Sequence, residues 1–157
     1  MTAYEIESRA LTGQETAVEY ATLKTTEIGP FLGKAFGEVA SYLGRKGAGP
    51  GGMPFARYHP SGPDTFEVEA GFPATTPTSG EGDVEPSDLP AGLAAVTVHV
   101  GPYDTVQPAY EALRNWVREQ GGATAGDAWE VYLTDPGANP DASTWRTEVV
   151  QPYTPAS

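Results

Sequence analysis

Residues 99–136 read HVGPYDTVQPAYEALRNWVREQGGATAGDAWEVYLTDP. The stretch contains a Gly-Pro-Tyr turn at 101–103, followed by an amphipathic segment that ends at the glycine pair 121–122. Four apolar side chains of this segment share one helical face at spacings i, i+4, i+7 and i+11, namely Val106, Tyr110, Leu113 and Val117. Because Pro108 has no N–H, it fits only the first turn of a helix, so we expect the helix to begin near residues 105–107.

The run after that helix, Trp129-Glu130-Val131-Tyr132-Leu133, has one acid in an otherwise apolar, strand-forming segment. Neighbouring strand residues point to opposite faces, so Glu130 and Tyr132 share a face that the other three residues do not. A carboxylate between aromatic and aliphatic neighbours must be solvated, paired or used on a ligand. The environment of Glu130 is therefore the functional question that the sequence raises.

The rest of the chain alternates between β-compatible runs and one more amphipathic segment. A helix is predicted from about Pro30 to Lys46, with the same stripe of four apolar side chains: Leu32, Phe36, Val39 and Leu43. Strands are predicted at 3–9, 15–23, 53–59, 65–72, 93–100, 128–134 and 144–150. Residues 74–91 are rich in Pro, Thr, Ser, Gly and acids, so we expect an exposed connector there.

The order strand-helix-strand-strand occurs twice in this prediction, and the residues repeat with it. Gly29-Pro30-Phe31 stands in the first half where Gly101-Pro102-Tyr103 stands in the second. Phe36 and Tyr58 lie 74 positions before Tyr110 and Tyr132. At a slightly larger offset, residues 65–73 align with 144–152. Repeated blocks in one order indicate an internal duplication.

The duplication predicts an α+β fold in one domain, residues 1–157, built from two βαββ units related by a pseudo-twofold. Repeat 1 covers about 14–73, the connector 74–91 and repeat 2 about 92–153. We expect one antiparallel sheet with the two helices on one face, which leaves the other face as a binding surface if it is aromatic. Ala56 is the repeat partner of Glu130, so the repeat itself does not require a carboxylate there.

The composition argues against several classes of function. The chain of 157 residues has no cysteine and a formal charge of −12, so disulfides and thiolate chemistry are excluded, and the basic face that nucleic acid needs is missing. It has neither a membrane-spanning apolar run nor a signal-peptide pattern, so we expect a cytoplasmic protein without membrane contact. His59 and His99 stand alone and are assigned structural or solvent-facing roles, so no metal site is predicted. No cofactor is predicted. The glycine-rich segment 47–52 follows a helix, whereas a phosphate-binding loop precedes one.

Five motifs carry a resemblance to a known family: His99-Val100-Gly101-Pro102-Tyr103, the helix from Tyr110 to Trp116, Trp129-Glu130-Val131-Tyr132, Asp135-Pro136, and Thr147-Glu148-Val149-Val150-Gln151-Pro152. They resemble the GyrI-like small-molecule-binding family, from about Tyr4 to Tyr153. This is the effector-binding domain attached to AraC-type and MerR-type transcription regulators, and it is also found alone. Since no helix-turn-helix motif precedes the domain, we expect a stand-alone member.

The resemblance implies the duplicated βαββ fold with a ligand cleft and a central acid, which maps onto Glu130. Aromatic side chains around such an acid stack on planar, often cationic, lipophilic compounds. Here the resemblance implies a wall that contains Tyr132 and Tyr103, with symmetry-related and adjoining candidates at Phe31, Phe36, Tyr58 and Trp145. Alternation groups Trp145 with Val149, on the face expected to lie under a helix. The helical stripes favour core packing for Phe36 and Tyr110.

Three functions follow from the resemblance and the residues. The leading hypothesis is a binding protein that captures hydrophobic aromatic, plausibly cationic, compounds at Glu130. The second is a hydrolase that opens cyclopropane-type electrophiles, with Glu130 as the catalytic acid or base and Tyr132 or Tyr103 as a hydrogen-bond donor. Glu69 and Glu148 are the candidates to test as the second carboxylate. The third is an acidic protein-interaction inhibitor of the gyrase-inhibitor type. A homodimer is a further possibility, because unpaired edge strands of the sheet could pair between two chains.

Overall fold

A computed structural model of the protein describes residues 4–135 and 137–156, and Pro136 of the Asp135-Pro136 motif lies outside them. The helices are α1 (Thr25–Lys46) and α2 (Gln107–Glu119). The strands are β1 (Glu7–Lys24), β2 (Phe55–Gly62), β3 (Thr65–Pro73), β4 (Glu85–Val100), β5 (Ala123–Thr124), β6 (Trp129–Tyr132) and β7 (Arg146–Thr154). Short 3₁₀ turns occur at Tyr103–Thr105 and Ala142–Thr144. The chain forms two compact units: unit N is Gly13–Pro90, and unit C joins Met1–Thr12 to Ala91–Ser157.

Unit N contains an antiparallel ladder with helix α1 packed on it. Strand β3 pairs with β1 on one side and with β2 on the other, and Asp64 has a positive φ of 54° in the turn between β2 and β3. The buried core of this unit contains residues of the helix, of strand β1 and of the loops beside them: Ala17, Val39, Tyr42, Leu43, Ala48, Ala74 and Val84. Strands β1 and β3 approach so closely at Gly71 that a Cβ there would overlap the backbone oxygen of Ala17, so this strand position requires glycine.

Unit C is organised around β7. This strand pairs antiparallel with β4, β6 and β5, and helix α2 packs over it. The helix contributes Ala109, Leu113 and Val117 to the buried core, which also contains Ala95, Val149 and Tyr153. Those three helical residues fall at i, i+4 and i+8, the apolar stripe that buries one helical face.

The α+β class, the antiparallel pairing and the two helices are confirmed. Helix α2 begins at Gln107 with Pro108 in its first turn, as predicted. Helix α1 begins at Thr25, before Pro30, because the Glu27 carboxylate accepts a hydrogen bond from the Lys24 backbone N–H at 2.8 Å and so satisfies the helix start. Pro30 lies inside the helix at an exposed position.

Two further stretches differ from the prediction. Strand β4 begins at Glu85, within the stretch expected to be an exposed connector, and Val84 and Leu89 are buried. Apolar residues are too sparse there to reveal a period of two in the sequence. The runs predicted as separate strands on either side of Gly13 form the single strand β1, in which Gly13 takes a positive φ of 85°. No helix among the described residues is both long enough and apolar enough to cross a membrane.

Candidate functional site

Glu130 lies on the helix-facing side of the unit C strands. In the ladder it is directly opposite Val149, which packs beneath helix α2, and Thr97 of β4 is opposite the same valine. Directly opposite residues of an antiparallel pair point to the same face. The uncovered sheet face was expected to be the binding surface, but Glu130 lies on the face that helix α2 covers, because alternation in one strand cannot tell which face the helix covers.

Two rows of side chains cross this face. The first row is Glu130, Val149 and Thr97, and the second is Tyr132, Thr147 and His99. Apart from Val149, every member is able to form hydrogen bonds, and every one of them is buried. The helix-facing side of unit C is thus partly polar next to its apolar core.

The carboxylate of Glu130 is enclosed by tyrosine hydroxyls. Its side chain is 7% exposed. Tyr110 of helix α2 donates a hydrogen bond to Oε2 at 2.5 Å, and Tyr132 donates one to Oε1 at 3.1 Å. Within residues 4–135 and 137–156, no lysine, arginine or histidine forms an ion pair with Glu130. Burial raises the pKa of Glu130 above its ordinary value, and the two tyrosine hydrogen bonds oppose that shift only in part.

Two more aromatic side chains adjoin Tyr132. The ring of Tyr103 meets that of Tyr132 edge-on, with centroids 5.4 Å apart. Trp145 stacks on Tyr103 at 4.9 Å and 30°, and its indole N–H donates to the Asn139 carbonyl at 2.7 Å. Burial, followed by the negative charges of Asp135 and Glu130, raises the pKa of the Tyr103 hydroxyl. Three predicted wall residues therefore form one aromatic cluster beside the carboxylate.

Trp145 belongs to this cluster for the reason that seemed to exclude it. It precedes β7, and alternation along that strand groups it with Val149. Since Val149 and Glu130 lie on the same face, this grouping brings Trp145 to the side of the carboxylate. The Gly101 N–H donates to the Trp145 carbonyl at 2.7 Å and fixes the backbone there.

Tyr110 was expected to be a core residue, and it does pack against the core of unit C, but its hydroxyl also donates to Glu130, which was not predicted. The sequence did contain a clue. In the predicted repeat, Tyr110 corresponds to Phe36 and Glu130 corresponds to Ala56. The second half of the chain therefore gains a carboxylate and a hydroxyl together, and these two groups are hydrogen-bonded to each other. Comparing both pairs at once would have identified Tyr110.

His99 is buried and bonded through both ring nitrogens. The hydroxyl of Tyr4 lies 3.0 Å from Nδ1, while Nε2 lies 3.0 Å from Thr105 Oγ1 and 3.2 Å from the Pro102 carbonyl oxygen. These contacts join β4 to the turn that leads into helix α2, which agrees with a structural role and excludes a solvent-facing one. In the described part of the chain, no group of three His, Asp or Glu side chains is arranged to hold a metal ion.

Thr147 was not considered from the sequence. It lies between Tyr132 and His99 in the second row, is fully buried, and its Oγ1 has no hydrogen-bond partner among the described residues. A buried hydroxyl without a partner costs free energy unless water or a ligand satisfies it. It is a candidate polar contact beside Glu130 that no sequence pattern marks, because one threonine in a strand is unremarkable.

Glu148 does not share the face of Glu130. It is opposite Val131 and Val98, on the other side of the ladder, and it accepts hydrogen bonds from Arg9 at 3.2 and 3.4 Å. An open cleft of about 620 Å³ lies on that side, where Val96, Val98 and Val100 line it together with Arg9, Arg146 and Glu148. The second carboxylate proposed for hydrolysis is therefore not supplied by Glu148.

The remaining predicted wall residues lie in unit N. Phe36 packs edge-on against Phe72 with ring centroids 5.8 Å apart, and Tyr58 meets Phe66 edge-on at 6.4 Å. Phe31 is half-buried in the first half of α1. A ligand-binding role for Phe31, Phe36 and Tyr58 stays a prediction. Glu69, the other carboxylate considered for hydrolysis, also lies in this unit, where the Ser87 hydroxyl donates to it at 2.8 Å.

Comparison with known proteins assigns the family. Residues 4–154 match the family described as GyrI-like small molecule binding domain. The chain belongs to this family. The GyrI-like resemblance drawn from the motifs is thus confirmed over nearly the same range, and the chain is a small-molecule-binding domain in that sense. No match is found among curated protein sequences.

Several solved structures share the fold of this GyrI-like chain. The EcmrR C-terminal domain is 20% identical with a TM-score of 0.79, over 99% of this chain and 100% of that chain. SAV2435 bound to tetraphenylphosphonium is 12% identical with a TM-score of 0.66, over 98% and 94%. A hydrolase from Listeria innocua is 11% identical with a TM-score of 0.61, over 96% and 92%.

Proposed function

We propose that this protein binds lipophilic organic cations at Glu130, with Tyr132, Tyr103 and Trp145 as the aromatic wall. The observation that carries the proposal is a buried carboxylate without a cationic partner in the described chain. Burying a charge is costly unless it is compensated, and ordinarily a folded chain places its own lysine or arginine there. A cationic ligand would supply the missing charge.

The hydrogen bonds of Glu130 favour a particular kind of cation. Both oxygens already accept from tyrosine hydroxyls, so what the site lacks is positive charge more than hydrogen-bond donors. A delocalised cation without N–H groups suits this arrangement, because it needs no acceptor and loses little hydration on burial. At 4 Å the attraction between unit charges is about 4 kcal/mol for an effective dielectric constant near 20. Aromatic rings around the cation add about 0.5–2 kcal/mol per contact.

A solved relative supports this ligand class. SAV2435, which shares the fold, has been solved bound to tetraphenylphosphonium, which is a delocalised, lipophilic cation. At 12% identity the likeness establishes fold alone, so the argument for this chain rests on the environment of Glu130. Tetraphenylphosphonium is nevertheless the natural first probe.

The duplication of βαββ units is part of the proposal. Unit N contains β1, α1, β2 and β3 in that order, and the Ala91–Ser157 part of unit C contains the end of β4, then α2, β6 and β7, with the short strand β5 inserted after α2. In unit N the row that corresponds to Glu130, Val149 and Thr97 consists of Ala56, Ala70 and Glu19, with Ala70 paired to both neighbours. This agreement of register supports a common origin and makes Glu130 an addition to one copy.

The test is a binding titration with tetraphenylphosphonium, using triphenylphosphine oxide as a neutral probe of similar shape. Wild type is compared with Glu130→Gln and with Glu148→Gln, a matched change of a carboxylate on the opposite face. We expect Glu130→Gln to lose affinity for the cation by about tenfold or more, equivalent to 1.4 kcal/mol, while Glu148→Gln binds as wild type does. Equal affinities of wild type and Glu130→Gln for the cation would refute the proposal.

Hydrolysis is a second candidate because Glu130 is buried and hydrogen-bonded to two tyrosine hydroxyls, and this burial raises the pKa of its carboxyl. A general acid at neutral pH needs such a shift, and the Tyr110 hydroxyl hydrogen-bonded to the carboxylate could relay a proton. Opening a cyclopropane ring would need this acid to protonate the leaving carbon or its conjugated oxygen, while water attacks the other ring carbon and returns one proton to the carboxylate. Incubation with a cyclopropane-containing electrophile, followed by mass measurement of the recovered compound, distinguishes turnover from binding. A gain of one water with wild type but not with Glu130→Gln would establish the enzyme.

A further inference from the structure

Unit N buries a carboxylate of its own, and this observation is independent of Glu130. Glu19 of β1 is 2% exposed. Its Oε1 accepts a hydrogen bond from the Lys34 ammonium at 3.1 Å, whereas its Oε2 has no hydrogen-bond partner among the described residues. A carboxylate can accept several hydrogen bonds, so half of this group's capacity is unused in a buried position.

The surroundings of Glu19 are small. Ala70 is directly opposite it in the ladder, and Ala56 is opposite Ala70 on the next strand. All three residues are buried and lie in one row on the helix-facing side, since Ala17 of the same face packs against α1. A row of methyl groups offers the carboxylate no polar contact.

Lys34 reaches Glu19 from helix α1 with its side chain still half exposed. The ammonium also lies 2.6 Å from Glu38 and 3.9 Å from Asp83, so three carboxylates surround one positive charge. The local charge is thus strongly negative without Lys34. The Lys34 side chain itself, an unbranched alkyl chain ending in an ammonium group, occupies a position that such a group fits.

We propose that Glu19 is the base of a second binding site, specific for primary ammonium groups on unbranched alkyl chains, which Lys34 occupies in the ligand-free protein. The free oxygen of Glu19 calls for a hydrogen-bond donor, so this site differs in its ligand chemistry from the one at Glu130. A ligand ammonium takes the place of Lys34 on Glu19 and donates to both oxygens. Lys34 keeps its contact with Glu38, four residues along the same helix, so it is not left unpaired.

The test removes the Lys34 side chain by substitution and supplies an amine of the same structure in solution. n-Butylammonium has the alkyl chain and the ammonium group of lysine, and Lys34→Ala leaves room for it. Melting temperatures are recorded against n-butylammonium concentration for wild type, Lys34→Ala and the double variant Lys34→Ala/Glu19→Gln. Tetramethylammonium at equal ionic strength is the control for charge screening, because it has no N–H to donate.

We expect a saturable rise in the melting temperature of Lys34→Ala, half-complete at an n-butylammonium concentration at least about tenfold below that needed by wild type. The double variant should not respond, and tetramethylammonium should not replace the primary amine. Lys34→Met is a further control, because its chain fills the same space without a charge and should block the response. If Lys34→Ala is unfolded by itself, refolding on addition of n-butylammonium, followed by circular dichroism, is the equivalent observation.

The proposal is overturned if Lys34→Ala responds no more than wild type, if Lys34→Ala/Glu19→Gln responds equally, or if an unfolded Lys34→Ala does not recover with the amine. Repeating the titration in Glu130→Gln separates this site from the one under Proposed function. A response that persists there belongs to Glu19 whatever the fate of the first proposal. A response that disappears with Glu130→Gln assigns the amine to Glu130 and refutes the second site.

Discussion

Replacing Tyr110 with phenylalanine removes one hydroxyl and leaves the ring in place. In the folded protein that hydroxyl donates to Glu130 Oε2, and the carboxylate keeps only the bond from Tyr132. Because Glu130 is 7% exposed, water has little access to replace the lost donor. The substitution therefore tests whether the ionised carboxylate depends on the tyrosines around it.

The expected loss can be worked out from the charge state. A hydrogen bond to a charged group contributes about 1.5–3 kcal/mol, so Tyr110→Phe should cost roughly 2 kcal/mol at pH 7.5, if Glu130 is ionised there. For a chain of this length, that corresponds to a fall in melting temperature of about 4–8 °C. Below the raised pKa the carboxyl is neutral, and the cost should drop to about 1 kcal/mol. The penalty therefore grows as the pH rises.

This sign agrees with the linkage between pKa and stability. Burial raises the folded-state pKa of Glu130 above its unfolded value, so the stability that comes from this shift is present below the unfolded pKa and is lost as the pH rises through the folded pKa. Tyr110→Phe removes a bond that lowers the folded-state pKa. The shift becomes larger, and more stability is lost on the alkaline side.

The assay is urea unfolding at pH 7.5 and pH 4.5, with Tyr42→Phe as the matched control. Tyr42 is buried on helix α1, and its hydroxyl accepts a hydrogen bond from the Gly80 N–H at 3.0 Å, so the control removes a hydroxyl with a neutral partner. Its cost should be about 1 kcal/mol at both pH values. Equal penalties for Tyr110→Phe at the two pH values, or a penalty no greater than that of the control, would refute the reasoning.

Two other measurements address the fold and the charge of the site. Gly71→Ala should lower the free energy of unfolding in urea by more than about 3 kcal/mol, because its Cβ would overlap the Ala17 carbonyl. Gly37→Ala on helix α1 is the control: its Cβ would meet open space, so it should stabilise the protein by roughly 0.5–1 kcal/mol. Similar effects of the two substitutions would contradict the β1–β3 packing. Affinity for tetraphenylphosphonium should fall as the pH is lowered through the raised pKa of Glu130, with a midpoint above the ordinary value near 4.5. The affinity for the neutral phosphine oxide should not change with pH. A cation affinity that does not change with pH would argue against an ionised Glu130 in the complex.

The sequence predicted the elements better than it predicted their faces. Helix α2 and the β2–β3 hairpin follow from local patterns: the apolar stripe, Pro108 in the first turn and the turn around Asp64. Which face the helix covers is decided by tertiary packing. Alternation in β6 correctly paired Glu130 with Tyr132, but only the register with Val149 shows that both lie beneath α2.

The contacts of the candidate site show the same limit. Tyr103 and Trp145 are 42 positions apart in sequence and stack in the fold, a contact that family resemblance suggested and no local pattern implies. Tyr110 was hidden because its position on the apolar stripe is also that of a core residue. Glu19 was hidden because an acid in an alternating strand is usually solvent-facing, whereas the helix carrying Lys34 covers this one.

The two buried glutamates differ in what the fold provides to neutralise them. Glu130 accepts hydrogen bonds from two neutral hydroxyls, so both of its oxygens have a donor while no cationic side chain among the described residues neutralises its charge. Glu19 is paired with the Lys34 ammonium, so its charge is neutralised while its Oε2 has no hydrogen-bond donor among the described residues. Complementarity then calls for opposite ligands: a delocalised cation without donors for Glu130, and a donor-rich ammonium for Glu19. Because quaternary and primary cations carry the same charge, net attraction to an acidic protein would not separate them, and the selectivity of each glutamate for one class is the property that tests this assignment.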